Sequence, residues 1–325
     1  MAVGKDVMVE AQPAKTVVKA LIVALFFALL AGADALALPR AVVAGRPRAA
    51  CVRQHNPLNM HASSGEDHVR RTTEQHYKDM RQHQCLHYQR QMEDEWLQFN
   101  KAELTIKQAL DIMDTFVDKS DPATSLPTVH HMMQVAETMR CCGEPDWMQL
   151  VGLIHDLGHV MAFLSPSEAN GQTCDGPQWG QAGGTWVVGA KIPSSVEFPR
   201  FNALNPDSEH SVYGTEQGWY ADACGLDALS FTWGHNEYLY RVLVHNKATI
   251  PQAGLDMIRL HSCRPLHCSD AYDCLLKKGD RERLAWVQHF NKYDEVAKGE
   301  RLDLAHLWPY YQTIVDKYAP GKLHW

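Results

Sequence analysis

An otherwise apolar run of the chain, Leu150 to Phe163, carries two histidines and an aspartate: His155, Asp156 and His159. The apolar residues recur with a helical period and also fill the other faces, so this helix is expected to be buried. A buried carboxylate is costly unless it is paired or binds a metal. The run therefore indicates a metal site, against the simpler interpretation of a core histidine bonded to a backbone carbonyl and an aspartate in a buried ion pair.

The spacing of these three residues allows different kinds of metal binding. His155 and His159 are four residues apart and would share one helix face, as in zinc-protease helices, although those helices carry Glu rather than Asp beside the first histidine. Adjacent residues on a helix point about 100° apart. His155 and Asp156 would therefore need further ligands to bind one metal together, or would serve two metals that share a bridging carboxylate.

Other polar residues lie in apolar surroundings elsewhere in the chain. His130 and His131 share an amphipathic segment, and the periodicity does not choose between them. His235 and His261 stand in nearly apolar segments, and Asp294 falls on the buried stripe of its helix. Each residue alone is more often a hydrogen-bonded core residue. Together they match the way in which helical bundles build two-metal sites from separate helices.

Helical patterns account for nearly all of the segments that must position these residues. The region from Ser165 to Pro206 is rich in Gly and Pro and is predicted to be loop, with short strands around WVVG and SVEF. The chain shows neither a repeat nor an alternation of strands and helices. We therefore expect an all-α fold in one domain, residues 66–325. The predicted helical segments are 67–100, 102–117, 128–140, 145–164, 213–220, 226–244, 251–262, 282–297 and 303–318.

The composition is that of a globular protein with a full core. Of the 325 residues, 45% are hydrophobic and 21% are charged. The net charge of -7 makes nucleic acid an unfavourable partner. The nine cysteines form no CxxC pair, so a structural zinc site is not expected, and they are interpreted mainly as small core residues with an occasional bridge.

The N-terminus has the features of a targeting signal. Residues 17–37 hold an apolar run that is too short for a stable membrane span and suits the core of a signal peptide. An arginine-rich stretch without acidic residues follows, typical of either an organelle address or a disordered linker. We therefore separate residues 1–65, a targeting-like and disordered segment, from the folded domain.

Several motifs, in order from about Tyr77 to Trp325, resemble the myo-inositol oxygenase family. They include DKSDPATSLPTVHH, LVGLIHDLGH, WGHNEYLY, MIRLHS, FNKYDEV and YAPGKLHW. The resemblance implies an HD-domain-like helical bundle around a dinuclear metal site. It also implies a cytoplasmic enzyme that cleaves the myo-inositol ring with O2 to give D-glucuronate and water. Its cofactor would be two iron ions, mixed-valent Fe(II)/Fe(III) in the active state.

The resemblance also assigns residues to roles. It selects His131 over His130 and implies six metal ligands, of which Asp156 would bridge the two irons. Asp156 and His261 would act in catalysis. The implied metal ligands are His131, His155, Asp156, His235, His261 and Asp294; the implied substrate-binding residues are Asp118, Ser120, His159, Gly189, His261 and Ser262.

The chain departs from the family pattern at the expected substrate pocket. His159 stands in place of a lysine, Ala190 in place of an aspartate and Lys119 in place of a glutamate. A neutral histidine is shorter than lysine and offers one donor and one acceptor. Two alternatives therefore stay open: a diiron oxygenase of another small polyol, or a metal-dependent phosphohydrolase of the HD superfamily.

Overall fold

The structure is a computed structural model that describes residues 64–121, 126–297, 299 and 301–325. The predicted address segment, residues 1–65, lies outside the described residues except for its last two. Helices dominate the described part of the chain, and the prediction of an all-α fold is confirmed. The α-helices and strands are α1 (Ser64–His83), α2 (Leu86–Trp96), β1 (Glu103–Leu104), α3 (Ile106–Ile112), α4 (Thr128–Cys141), α5 (Asp146–Ile154), α6 (Met161–Leu164), α7 (His235–His245), α8 (Gln252–Leu260), α9 (Arg264–Cys268), α10 (Asp280–Asp294), α11 (Leu304–Tyr318) and β2 (Leu323–His324).

Helices α4 and α5 make the most extensive helix–helix contact of the core. Their close approach depends on Gly152 of α5, because an added Cβ would lie 3.1 Å from the backbone of Ala136 in α4. Helix α8 packs against α5, α7 and α10, and α10 also contacts α4. The helices that carry the predicted ligands therefore form one packed group.

The C-terminal residues close the domain against its N-terminal half. Strand β2 pairs antiparallel with β1, with Leu323 opposite Leu104. The following Trp325 is fully buried, and its Nε1 donates a hydrogen bond to the carbonyl oxygen of Leu104 at 3.1 Å. Burial of this large ring ties the end of the chain to the core.

The helix predicted over 145–164 is interrupted at the chemically important residues. Helix α5 ends at Ile154, and a short 3-10 helix over Leu157–Val160 precedes α6. At the interruption Gly158 lies against the start of α7, where an added Cβ would be 1.9 Å from the carbonyl oxygen of His235. This contact between distant parts of the chain overrides the helical period, so His155 and His159 are not one turn apart on a regular helix.

Other predicted elements also differ from those observed. The segment 67–100 forms two helices, with a break after His83, and 102–117 contains β1, α3 and a 3-10 turn in place of one helix. The predicted helix over 226–244 begins only at His235, because Phe231 before it forms an isolated bridge with Val187. Residues 213–220 contain turns, with Gly218 at φ +63°. The WVVG segment contributes only that bridge, and SVEF is a turn rather than a strand.

The cysteines contribute less to the core than expected. Among the described residues only Cys263 is buried, and Cys141, Cys142 and Cys274 are exposed. Every cysteine in the described part of the chain is a free thiol. None of the helices there is long and apolar enough to cross a bilayer.

Candidate metal centre

The six predicted ligands meet because they lie at helix ends that point to one place. The local sequence explains this arrangement: Gly234 precedes the helix that begins at His235, and Pro251 stands at the start of α8, which ends at Leu260, directly before His261. The ligands are His131 in the first turn of α4, His155 and Asp156 directly after α5, His235 at the first residue of α7, His261 directly after α8, and Asp294 at the last residue of α10.

One group of ligands surrounds the Asp294 carboxylate. Its Oδ1 lies 2.9 Å from Nε2 of His131 and 3.2 Å from Nε2 of His155. The same nitrogen of His155 lies 3.3 Å from Oδ2 of Asp156. The ligand atoms of His131, His155 and Asp156 all lie within 4.8 Å of one another, close enough to hold one metal ion.

A second group forms around the other oxygen of Asp156. Its Oδ1 lies 3.2 Å from Nε2 of His235 and 3.4 Å from Nε2 of His261, and these two nitrogens are 3.3 Å apart. These three residues also satisfy the distances required to hold a metal ion. Asp156 belongs to both groups and turns one oxygen toward each, as a carboxylate that bridges two metals would.

Backbone carbonyls fix the orientation of all four histidine rings. Because a carbonyl oxygen only accepts hydrogen bonds, the Nδ1 atom facing it must carry the proton, which leaves the lone pair on Nε2. Such partners orient metal-binding imidazoles in proteins. The bonds run from Nδ1 of His131 to Ala297 at 3.1 Å, of His155 to Gly152 at 2.9 Å, of His235 to Gln181 at 2.7 Å and of His261 to Ile258 at 3.0 Å.

The inner side of this arrangement leaves a polar atom without a partner. Nε2 of His155 is buried and close to carboxylate oxygens, yet it makes no hydrogen bond with any residue that the structure describes. Burial alone would raise the pKa of the Asp156 carboxyl, but the surrounding His155, His235 and His261 together hold it well below its usual range. A deprotonated carboxylate is the state in which an aspartate binds a metal ion. The residues present therefore fit a dinuclear site.

An open cavity of about 300 Å³ leads to this centre. Asp118, Ser120 and Ser262, three of the predicted substrate-binding residues, line it. His155 does not reach it, because its side chain is buried behind the other ligands. The other five predicted ligands also line the cavity: His131, Asp156, His235, His261 and Asp294.

The structure does not bring His159 to the cavity. Its ring is fully buried and stacks between Phe116, at a centroid distance of 4.6 Å, and His235, at 4.1 Å. Neither ring nitrogen has a hydrogen-bond partner among the residues that the structure describes. Burial holds the pKa of His159 well below its usual value, so the ring is neutral. The interruption of the helix after Ile154 turned this side chain toward the core.

Gly189 also lies outside this cavity, as do Ala190 and Lys119, two of the residues that depart from the family pattern. Gly189 and Ala190 line a separate cavity of about 140 Å³. Lys119 donates hydrogen bonds to the carbonyl oxygens of Asp175 and Gly176 on the surface. None of the three is among the residues that line the larger cavity.

Several residues at the cavity were missed by the sequence reasoning. Gly183 and Gly184 occupy the wall where Gly189 was expected, and Asn291 donates a hydrogen bond from Nδ2 to the carbonyl oxygen of His261 at 3.0 Å. Behind the site, the fully buried Glu237 accepts hydrogen bonds from Arg259 at 2.6 and 3.1 Å. The sequence could have indicated Glu237, because it is a charged residue in the nearly apolar segment that contains His235. No local signal distinguished Gly183 and Gly184.

Comparison with known proteins agrees with this geometry. The family described as Myo-inositol oxygenase matches residues 70–325. The inositol oxygenase of Danio rerio is 42% identical over 252 residues, which cover 77% of this chain and 87% of that protein. Inositol oxygenase 1 of Arabidopsis thaliana is 37% identical over 262 residues, which cover 80% of this chain and 82% of that protein. Inositol oxygenase of Homo sapiens is 39% identical over 252 residues, which cover 77% of this chain and 85% of that protein. A match over most of the domain, together with a paired histidine–aspartate centre, means that the chain belongs to the myo-inositol oxygenase family.

Proposed function

We propose that this protein is an inositol oxygenase, a non-haem diiron enzyme that cleaves the ring of myo-inositol with O2 to give D-glucuronate and water. One oxygen atom of O2 enters the product and the other leaves as water, so the substrate supplies four electrons. The observation that carries the proposal is the Asp156 carboxylate, which turns one oxygen toward each of two histidine groups in a chain of this family.

Iron suits the proposed ligands, because imidazole and carboxylate are the ligands of non-haem iron sites. One iron would be held by His131, His155, Asp156 and Asp294, and the other by Asp156, His235 and His261. The second set is smaller, so an iron held there would have more positions for substrate oxygens. When bound, a mixed-valent Fe(II)/Fe(III) pair supplies the Lewis acidity and the redox chemistry.

The chain's own residues bind and orient the substrate. Asp118 and Ser120 lie on one part of the cavity wall, and Ser262 directly follows the proposed ligand His261. Asp118 accepts a hydrogen bond from the backbone N–H of Ser120 at 2.7 Å, which holds its carboxylate in place. Carboxylates and hydroxyls are acceptors and donors for the hydroxyl groups of a polyol. Close packing behind His155 keeps water away from that side of the centre.

The charge of the cavity favours a neutral polyol over a phosphoester. Apart from the proposed ligands, Asp118, Asp121, Glu197 and Glu295 line it. Of the described residues that line it, Arg264 is the only Lys or Arg, and it is paired with Glu295. A phosphate group would meet these carboxylates with a like charge. This argues against the phosphohydrolase alternative and leaves another small polyol as the second candidate.

Oxygen consumption tests the proposal directly. The protein, reconstituted anaerobically with Fe(II), should take up one O2 for each D-glucuronate formed from myo-inositol. Other cyclic and linear polyols, assayed in parallel, would reveal the second candidate. Hydrolysis of a generic phosphoester without oxygen uptake would refute the oxygenase assignment.

We further propose that residues 66–325 form the catalytic domain and that residues 1–65 are an address rather than part of it. The family resemblance favours the cytoplasm, whereas the apolar run over 17–37 favours export or organelle targeting. Identifying the N-terminus of the mature protein from its native source separates the two: a start at residue 1 favours the cytoplasm, and cleavage after the apolar run favours targeting.

A further inference from the structure

The cavity wall beside α1 contains two adjacent glycines, Gly183 and Gly184, each of which is glycine for a different reason. Gly183 has a φ of +96°, which an L-residue rarely adopts. Gly184 does not have a positive φ, so its backbone accepts other residues. A Cβ at Gly184 would, however, lie 2.4 Å from Oε2 and 3.1 Å from Cδ of Glu197. Gly184 is thus small because a carboxylate occupies the space above it.

The backbone that carries the Glu197 side chain is constrained by its surroundings. Its carbonyl oxygen accepts a hydrogen bond from Nη2 of the buried Arg81 at 2.8 Å. The next residue, Phe198, has a left-handed φ of 49° and packs its ring at 5.2 Å from that of Tyr77. A non-glycine residue rarely adopts this conformation, and such backbone strain concentrates at functional sites. The backbone is therefore constrained from the Glu197 carbonyl group to Phe198.

This carboxylate also lies on the wall that carries the metal centre. The backbone N–H of Thr185, next to Gly184, donates to the carbonyl oxygen of Ser262 at 3.0 Å. Ser262 follows the proposed ligand His261, and Ser262, Gly184 and Glu197 all line the same cavity. In the described part of the chain, the carboxylate oxygens of Glu197 have neither a hydrogen bond nor an ion pair. Among the described residues, Glu197 thus offers a carboxylate without a hydrogen-bond partner on the cavity wall that also carries His261 and Ser262.

We propose that Glu197 is a substrate-positioning residue whose carboxylate, lying over Gly184, accepts hydrogen bonds from hydroxyl groups of the bound polyol. The inference deepens the proposed function and rests on it. Beside the carboxylate, the Tyr77 hydroxyl accepts a bond from the Gly184 N–H at 3.4 Å and keeps its own proton as a donor. A hydroxyl group both donates and accepts. An acceptor next to a donor therefore recognises the edge of a polyol and discriminates against anions.

Removing the carboxylate tests this role. Glu197→Ala should raise the Kd and the KM for myo-inositol about tenfold, a factor that corresponds to about 1.4 kcal/mol. The bound iron should stay unchanged, and kcat should fall less than the KM rises. Glu197→Gln should have a Kd and a KM between those of the wild type and Glu197→Ala, because the glutamine amide keeps one acceptor oxygen. The matched control is Glu282→Ala, which removes an exposed acidic side chain of α10 that is not among the residues lining the cavity.

Moving the carboxylate provides a sharper test. Gly184→Asp alone should bind myo-inositol poorly, because the new side chain collides with Glu197 and repeats its charge. Combined with Glu197→Ala, the same substitution places a carboxylate in the vacated space and should recover most of the lost affinity. A double variant no better than Glu197→Ala would overturn the claim that a carboxylate over Gly184 serves the substrate.

The readouts separate this inference from the proposed function. Binding is measured by calorimetry with myo-inositol on iron-loaded protein under anaerobic conditions, and turnover is measured by oxygen uptake. If the wild-type protein turns over myo-inositol and Glu197→Ala binds it equally well, the role of Glu197 is refuted while the oxygenase assignment stands. If the wild-type protein binds myo-inositol without turning it over and Glu197→Ala binds it more weakly, the oxygenase assignment is refuted and the role of Glu197 is supported. A wild-type protein that binds no myo-inositol would refute both.

Discussion

The ring of His159 provides the most direct test of the structure, because the family resemblance and the structure assign it different roles. The resemblance implies a substrate contact, whereas the structure places the ring between Phe116 and His235. We predict that His159→Phe leaves the KM for myo-inositol unchanged, since the new ring keeps both stacking contacts. His159→Ala should instead destabilise the protein and loosen the ring of His235.

The magnitudes follow from the burial of His159. Its ring is 0% exposed, and truncating a buried aromatic ring to alanine costs about 3 kcal/mol. For a domain of this size, that loss lowers the Tm by roughly 6–12 °C. Phenylalanine removes two unpartnered nitrogens, whose burial costs roughly 1–3 kcal/mol. It adds volume at a cost of about 1 kcal/mol. His159→Phe should therefore equal or exceed the wild type in stability.

The assay is thermal unfolding of metal-free protein, because bound metal would add its own stabilisation. The KM for myo-inositol and the affinity for iron are measured on the same variants. Loss of the stacking ring in His159→Ala should weaken iron binding about 10–100-fold, the usual effect of removing a group that orients a metal ligand. A several-fold rise in KM for His159→Phe at unchanged stability would show that His159 contacts the substrate and would refute the stacking role.

Three further predictions address the centre and its supports. Asp156→Ala should lose both irons, measured as metal per chain after anaerobic reconstitution, whereas Asp294→Ala should chiefly lose one; two irons in Asp156→Ala would contradict the bridge. Glu237→Ala leaves Arg259 buried without its ion-pair partner, so the free energy of unfolding should fall by about 3–5 kcal/mol. Chemical denaturation measures this loss, with Glu282→Ala as the control, and a loss below about 1 kcal/mol would mean that water or another group satisfies Arg259. Removing residues 1–63, which precede α1, should leave a folded domain that binds iron, judged by circular dichroism and metal content; an unfolded product would assign that segment to the core.

Much of the site could be predicted from the sequence because its evidence is local. A histidine and an aspartate within an apolar run must be satisfied by something, and His155 and Asp156 do lie at the centre of the site. Helical periodicity over long segments likewise yielded the all-α fold. The choice of His131 over His130 came only from the family resemblance, because both residues fit the helix. In the structure the distinction is plain: His131 faces Asp294, whereas His130 accepts a hydrogen bond from Arg301.

The tertiary structure decided what depends on contacts between distant segments. The helix stops before Asp156 because Gly158 must lie against His235, 77 residues later in the chain by their numbering. This stop turned His159 into the core and allowed Asp156 to present one oxygen to each histidine group. Gly184 was likewise indistinguishable from Gly189 until Glu197 was seen to fill the space above it. Periodicity reports only which face of an element is apolar, whereas the partner that this face meets is chosen by packing across the whole domain.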